Sequence, residues 1–235
     1  MANSIDLAEI ASLVGDPARV AMIEALMDGR ALTAGELAYV AGVSPQTTSE
    51  HLRRLTDTRV LAAIKQGRHR YFRIASPLVA QMMESISVVA AIEAPPRRRL
   101  PSRIDAALRD ARMCYDHLAG KLAVEIADGM VRRGLLSLDA DGGEVTPAGF
   151  AFFNELGIDL ETQKRGRRAF CRPCLDWSER RFHIAGTTGA AIASHCESEG
   201  WIKRVRDTRA VILSAAGRHA LRDLLGLDAA LKTAA

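Results

Sequence analysis

Val43-Ser44-Pro45-Gln46-Thr47-Thr48-Ser49-Glu50-His51-Leu52-Arg53-Arg54-Leu55 decides how the chain is read. Ser44 is a strong helix N-cap, and Pro45 suits the first helical position, where its missing N–H costs nothing. Leu52 and Leu55 fall at core-facing spacing. Ala41-Gly42-Val43 precedes the helix as a turn, because Gly42 adopts positive φ without a Cβ clash. Gln46, Thr47, Thr48, Ser49 and His51 are expected on the other faces. A Gln-Thr-Thr-Ser run has low helix propensity, so an exposed row of it needs a reason. Short polar side chains of this kind hydrogen-bond base edges and phosphates. The stretch reads as the second helix of a helix-turn-helix.

The residues that follow extend the reading. Val60–Ile64 and Arg70–Ile74 have strand character, and Lys65-Gln66-Gly67-Arg68-His69 between them is a basic, glycine-containing hairpin tip. Helix-turn-helix plus basic hairpin is a winged helix, whose wing touches the duplex beside the groove that the helix enters. Gln46, Thr47, Thr48 and Ser49 are the expected base readers. His51, Arg54, Arg68, His69, Arg70 and Tyr71 are expected on phosphate, with Ser44 and Lys65 completing the set.

Charge placement agrees. Net charge over 235 residues is only +4. Residues 1–43 hold two arginines against six acids, net −4, whereas residues 44–73 hold seven Lys/Arg against two acids, net +5. The positive charge sits on the proposed helix and wing, as duplex binding requires. The chain is long enough for two modest domains. No apolar run is long enough to span a membrane, and the N-terminus lacks a basic-then-apolar leader pattern. A cytoplasmic location with four reduced cysteines is expected.

Upstream, Ile5–Val14 has helical periodicity. Gly15-Asp16-Pro17 then breaks it and caps a second helix, Ala18–Met27. Thr33, with Glu36 three residues on, caps a third, Ala34–Ala41. A further helix should run from about Leu78 to Glu93. Gly15-Asp16-Pro17-Ala18-Arg19, Leu32–Ala38, Val43–Leu55 and Gly67–Phe72, in this order and spacing, resemble the ArsR family of bacterial winged-helix repressors over roughly residues 5–92. The resemblance implies a homodimer on a palindromic operator in double-stranded DNA, repression of nearby genes and release by a ligand. It also implies a dimer interface built from the first and last helices, here Ile5–Leu13 and Leu78–Ile92. The latter carries Met82, Met83, Ile86, Val88, Val89 and Ile92. The family's metal sensors place cysteines before the reading helix, or Asp and His on the last helix. This chain has neither, so any inducer must be sensed elsewhere.

Ala94–Arg103 holds three prolines and four arginines and reads as a linker, stiff and cationic. Beyond it the sequence repeats itself. His117-Leu118-Ala119-Gly120 recurs as His183-Ile184-Ala185-Gly186, Arg133-Gly134-Leu135-Leu136 as Glu199-Gly200-Trp201-Ile202, Val145–Gly149 as Leu213–Gly217, and Leu156–Asp159 as Leu225–Asp228. Each copy reads as helix, helix, hairpin, helix, with Thr146 and Ser214 as caps. The middle helices are rich in Ala, Val, Ile and Gly, fit for burial. The expected architecture is mainly α with short β-hairpins. A winged helix-turn-helix occupies residues 1–94 and a linker 95–103. A duplicated, winged-helix-like sensing or oligomerisation domain occupies 104–235, with repeats at about 104–160 and 170–229.

Chemically active residues cluster at the front of each copy. Cys171 and Cys174 form a CxxC, and Arg167, Arg168 and Arg172 nearby would favour thiolate. Cys114, His117 and His183 are the candidates to complete a site for a soft ion. Cys114, Cys171 and Cys174 would suffice for a three-thiolate metalloid centre. The equivalent positions of His117 and His183 point instead to a shared structural job, and Cys is often mere filling. Asp176 and Arg180 have the spacing of an ion pair across one helical turn; Trp177 and Cys196 read as core. A thiophilic metal or metalloid, a reactive sulfur species, a small organic effector and no effector at all stay open. No phosphate loop, paired metal motif, nucleophile elbow or thioredoxin-like βαβ unit is present, so the chain reads as a regulator and not an enzyme.

Overall fold

The computed structural model describes residues 4–92, 103–163 and 169–227. Most of the 95–103 linker lies outside the described residues, as do Arg167, Arg168 and Asp228.

α1 (Ser4–Val14) stops at Gly15-Asp16-Pro17, where the Asp16 carboxylate accepts the Arg19 N–H at 2.9 Å and opens α2 (Pro17–Ala25). β1 (Leu32–Thr33) leads into α3 (Ala34–Ala41) through a complete capping box. Gly42, at φ 64°, closes α3 and turns the chain toward α4 (Pro45–Asp57). Ser44 Oγ accepts the Thr47 N–H at 3.2 Å. β2 (Leu61–Gln66) and β3 (His69–Ile74) pair antiparallel from Leu61↔Ile74 to Gln66↔His69. Only Gly67-Arg68 remains as the turn, so the strands are longer than their apolar content suggests. β1 pairs with β3, giving the order β1-β3-β2. Met22, Ile23, Leu26, Leu37, Leu52, Leu55, Leu61, Phe72 and Ile74 are buried and supply the apolar burial that holds this unit. α5 (Pro77–Ile92) follows.

The chain divides into two compact units at Met83/Glu84, within α5 and ahead of the proline-rich stretch. The second unit continues with α6 (Arg103–Asp110), β4 (Arg112–Cys114), β5 (His117–Ala119), α7 (Lys121–Arg132), β6 (Leu136–Leu138), β7 (Gly143–Val145) and α8 (Pro147–Glu155). After α9 (Leu160–Gln163) come β8 (Arg172–Leu175), β9 (Phe182–Ala185), α10 (Gly186–Ser198), β10 (Ile202–Arg204), β11 (Val211–Leu213) and α11 (Ala215–Leu225). The expected helix-helix-hairpin-helix order is therefore corrected. A hairpin, β4–β5 or β8–β9, directly precedes each middle helix, α7 or α10. Strands of three or four residues are too short to show an alternating pattern, and they went unseen beside the stronger helical signals.

Thr146 and Ser214 cap α8 and α11, each accepting an N–H three residues on at 3.0 Å. Their own N–H groups donate to Leu135 O (3.0 Å) and Trp201 O (2.8 Å). These bonds bring each helix start against the strand entry. A Cβ on Gly149 would lie 1.9 Å from Leu135 O, and one on Gly217 2.4 Å from Trp201 O. Only glycine permits that approach. Leu122, Ile126 and Met130 of α7 pack with Leu136, Phe153, Ile184, Ile202, Val211 and Leu225 in one buried cluster. No described helix is long and apolar enough to cross a membrane.

Candidate nucleic-acid interface and a buried cysteine–histidine cluster

α4 divides its polar residues between two faces. Gln46, Thr47, Ser49 and Arg54 are exposed. Thr48 is not: it is fully buried, and its Oγ1 donates to Ser44 O at 2.9 Å. Positions 48, 52 and 55 share one helix face, so Thr48 packs with Leu52 and Leu55 and reads no base. Ser44 Oγ is engaged with the Thr47 N–H and lies 2.9 Å from the Thr47 hydroxyl, so it serves as a cap. Ser49 Oγ bonds back to Pro45 O at 2.9 Å.

His51 also departs from its expected phosphate role. Its Nδ1 lies 3.3 Å from the Arg19 guanidinium and its Nε2 3.9 Å from the Asp16 carboxylate. Arg19 is buried and donates to Leu13 O and Ser12 O at 2.8 and 2.9 Å. His51 thus joins a network that ties α4 to the α1–α2 junction. The backbone N–H of Arg19, with Arg19's charge and that of His51, holds the Asp16 carboxyl below its ordinary value.

The expected Lys65–His69 tip is shorter in the structure, a Gly67-Arg68 turn between β2 and β3. Lys65, Arg68, His69 and Arg70 are exposed, and Tyr71 is half-buried. The Arg70 guanidinium lies over the Phe72 ring at 5.2 Å. Arg53, also on α4, is held by Glu50 and Asp57 at 2.7 and 3.0 Å. The polar residues of α4 and the basic β2–β3 turn form a surface suited to base edges and phosphates.

In the second unit, Cys114 and His117 face each other across β4–β5, and Cys174 and His183 across β8–β9. All four are buried, and one donor atom from each lies within 4.8 Å of every other. The two imidazole centroids are 5.2 Å apart. Glu84 of α5 accepts the Cys114 thiol at 2.8 Å and the Cys174 thiol at 2.9 Å. Burial, then Cys114, push the Glu84 carboxyl up to about 8. The bond from Cys174, followed by those of His117 and His183 against the opposing cost of burial, pulls the Cys114 thiol well down; the same sulfur contact and burial push Cys174 up. Burial opposes a proton on His117, but Asp116 and Cys114 outweigh it and raise the imidazole to about 9, while burial lowers His183.

Behind the imidazoles stand two carboxylates. Asp116 lies 3.4 Å from His117 Nδ1, and Asp176 lies 3.4 Å from His183 Nδ1. Asp176 is fully buried, pairs with Arg112 at 2.8 Å and accepts the Gly120 N–H at 2.7 Å. The Asp176–Arg180 helical pair is thus corrected: 176–181 is the turn of a hairpin. The Trp177 ring lies 4.6 Å under the Arg112 guanidinium.

Cys171 stands apart. It packs against the large core cluster, whereas Cys174 packs with Cys114, Ala119 and Ala185. Cys171 sits at a bend just before β8 and Cys174 within it, and the two pack against different clusters, so this CxxC does not converge. Burial pushes the Cys171 thiol up to about 11, the reverse of the expected activation by arginines. Cys196 is core, its thiol pushed up to about 12 by burial. Neither the Cys171–Cys174 pair nor a three-thiolate set with Cys114 forms.

A helix-turn-helix domain family matches residues 14–62. An uncharacterised HTH-type transcriptional regulator of Bacillus subtilis (strain 168), YdfF, is 42% identical over 222 residues, which is 94% of this chain and 98% of the relative. The chain belongs to the helix-turn-helix transcriptional regulators. Solved structures that resemble part of this regulator include the homodimeric winged helix-turn-helix domain of Mb0332 from Mycobacterium bovis, described as a possible ArsR-family regulator. It is 20% identical and covers 43% of this chain and 99% of that one, at TM-score 0.36. NolR from Sinorhizobium fredii is 20% identical and covers 40% and 89%, at TM-score 0.34. These likenesses span less than half of the regulator.

Sequence reasoning missed Glu84. The signal was available: Glu84 is the one charged residue in α5, an otherwise apolar and polar-neutral helix. A lone charge there implies a specific partner.

Proposed function

We propose that the regulator is a cytoplasmic, dimeric repressor of ArsR type. It binds a palindromic operator and releases it when an effector is sensed by the C-terminal unit. The observation that carries this reading is the exposed row Gln46, Thr47 and Ser49 on a helix preceded by a glycine turn and followed by the Lys65–Arg70 basic wing. In the dimer the two α4 helices stand about 34 Å apart and enter successive major grooves. Gln46, Thr47 and Ser49 read base edges, and Arg54, Lys65, Arg68, His69 and Arg70 hold phosphates. Leu78 (76% exposed), Val89 (59%) and Leu7 (68%) on α5 and α1 support a covering subunit. The recurrence of hairpin, middle helix, hairpin and capped helix supports duplication of a winged-helix-like unit, without its polar reading helix.

Footprinting and fluorescence anisotropy on the DNA flanking the gene test the reading. A protected inverted repeat is expected, bound tightly at low salt and lost steeply as salt rises. Equal affinity for the flanking DNA and a scrambled duplex would overturn it.

A further inference from the structure

We propose that Cys114, His117, Cys174 and His183 form a buried tetrahedral site for one borderline-soft divalent cation of the Zn(II) class. The inference concerns the second unit alone and stands or falls independently of the DNA-binding reading.

Four observations converge. First, the donor set is two sulfurs and two imidazoles, the combination of closed zinc sites. Second, the donors come from two hairpins, each giving one Cys and one His in cross-strand register, and all are within 4.8 Å of one another. Donors bound to one zinc lie about 3.3–3.8 Å apart, given Zn–N of about 2.0–2.1 Å and Zn–S of about 2.3 Å. The set closes on an ion by a contraction of about 1–1.5 Å at its widest pair. Third, Nε2 of His117 and Nε2 of His183 are buried with no hydrogen-bond partner. Buried polar atoms are costly when unsatisfied, and a metal ion would satisfy both. Fourth, Asp116 hydrogen-bonds the Nδ1 of His117 at 3.4 Å, while Asp176 lies 3.4 Å from the Nδ1 of His183 without bonding to it. A carboxylate behind the far nitrogen is how ligating histidines are oriented.

The charges also balance. The four donors alone balance a dication, as two thiolates and two neutral imidazoles, with the Glu84 carboxyl beside both sulfurs. Binding forms two metal–sulfur and two metal–nitrogen bonds and displaces to solvent the two protons that the four donors carry. A metalloid that needs three thiolates is not served, because Cys171 faces elsewhere. Four protein donors leave no open position for catalysis.

The test uses the full chain, reduced and stripped with a chelator, then titrated anaerobically with Co(II) and afterwards with Zn(II). One equivalent of Co(II) is expected to give the intense visible bands of tetrahedral coordination with a thiolate-to-metal charge-transfer band. One equivalent of Zn(II) should abolish both. Cys171→Ser should keep the full spectrum, whereas Cys114→Ser and His183→Ala should lose it while keeping the wild-type far-ultraviolet helical signal. A wild-type spectrum lacking thiolate charge transfer, or loss of the spectrum in Cys171→Ser, would overturn the proposal. The wild-type spectrum and the Cys171 variant decide the matter even where a ligand variant fails to fold.

Discussion

Thr47 and Thr48 are adjacent, yet one faces solvent and the other is fully buried. A helix turns by about 100° per residue, so a run of similar residues cannot share one role. Thr48→Val should leave operator affinity unchanged and alter unfolding stability by no more than about 1 kcal/mol, since one modest hydrogen bond is exchanged for apolar packing. Gln46→Ala should cost about 1–3 kcal/mol at the base it reads and relax preference there. Anisotropy on single-base operator variants separates the two. The caps at Asp16, Thr33, Ser44, Thr146 and Ser214 were all legible, because a cap is local chemistry. Thr48 and His51 were not. Their fate depends on Leu52 and Leu55 in one case and on Arg19, 32 residues away, in the other.

At the scale of elements, the wing is a short hairpin whose turn and flanks carry cations. Arg68→Ala and Arg70→Ala should each weaken binding to all duplexes alike and lower the salt slope by about one. Titrations at several salt concentrations check this. In the second unit the tight contacts lie where α8 and α11 begin. Gly149→Ala drives a methyl into Leu135 O, and Gly217→Ala into Trp201 O. Each should lower unfolding stability by about 1–3 kcal/mol, measured by thermal or urea denaturation. Gly142→Ala, with open space around its Cβ position, is the control. Long helices showed in the sequence through their period and caps. The β4–β5 and β8–β9 hairpins did not, because three or four residues cannot display an alternation.

For the whole molecule, assembly and sensing are separable questions. On the proposed dimer, Val89→Lys on α5 should move the regulator toward monomer in sedimentation and weaken operator binding at least as much as either wing substitution. A monomer reaches one half-site only. A variant that stays dimeric with unchanged affinity would place the interface elsewhere. The metal titration addresses a different part of the chain, and neither result predicts the other.

The sequence alone determined the reading unit. A capped helix, a glycine turn and a basic hairpin are written in contiguous residues, so their geometry follows from local rules. It also disclosed the recurrence in the second half and singled out the cysteines and histidines there, but it grouped Cys174 with Cys171. The CxxC spacing suggested a pair because the residues are close along the chain. Tertiary structure packed Cys171 and Cys174 against different clusters. It brought Cys114 and His117 to Cys174 and His183 across some sixty residues. Glu84 joined them from a separate helix. Which donors meet depends on strand register and on how two hairpins pack, and no local rule contains either.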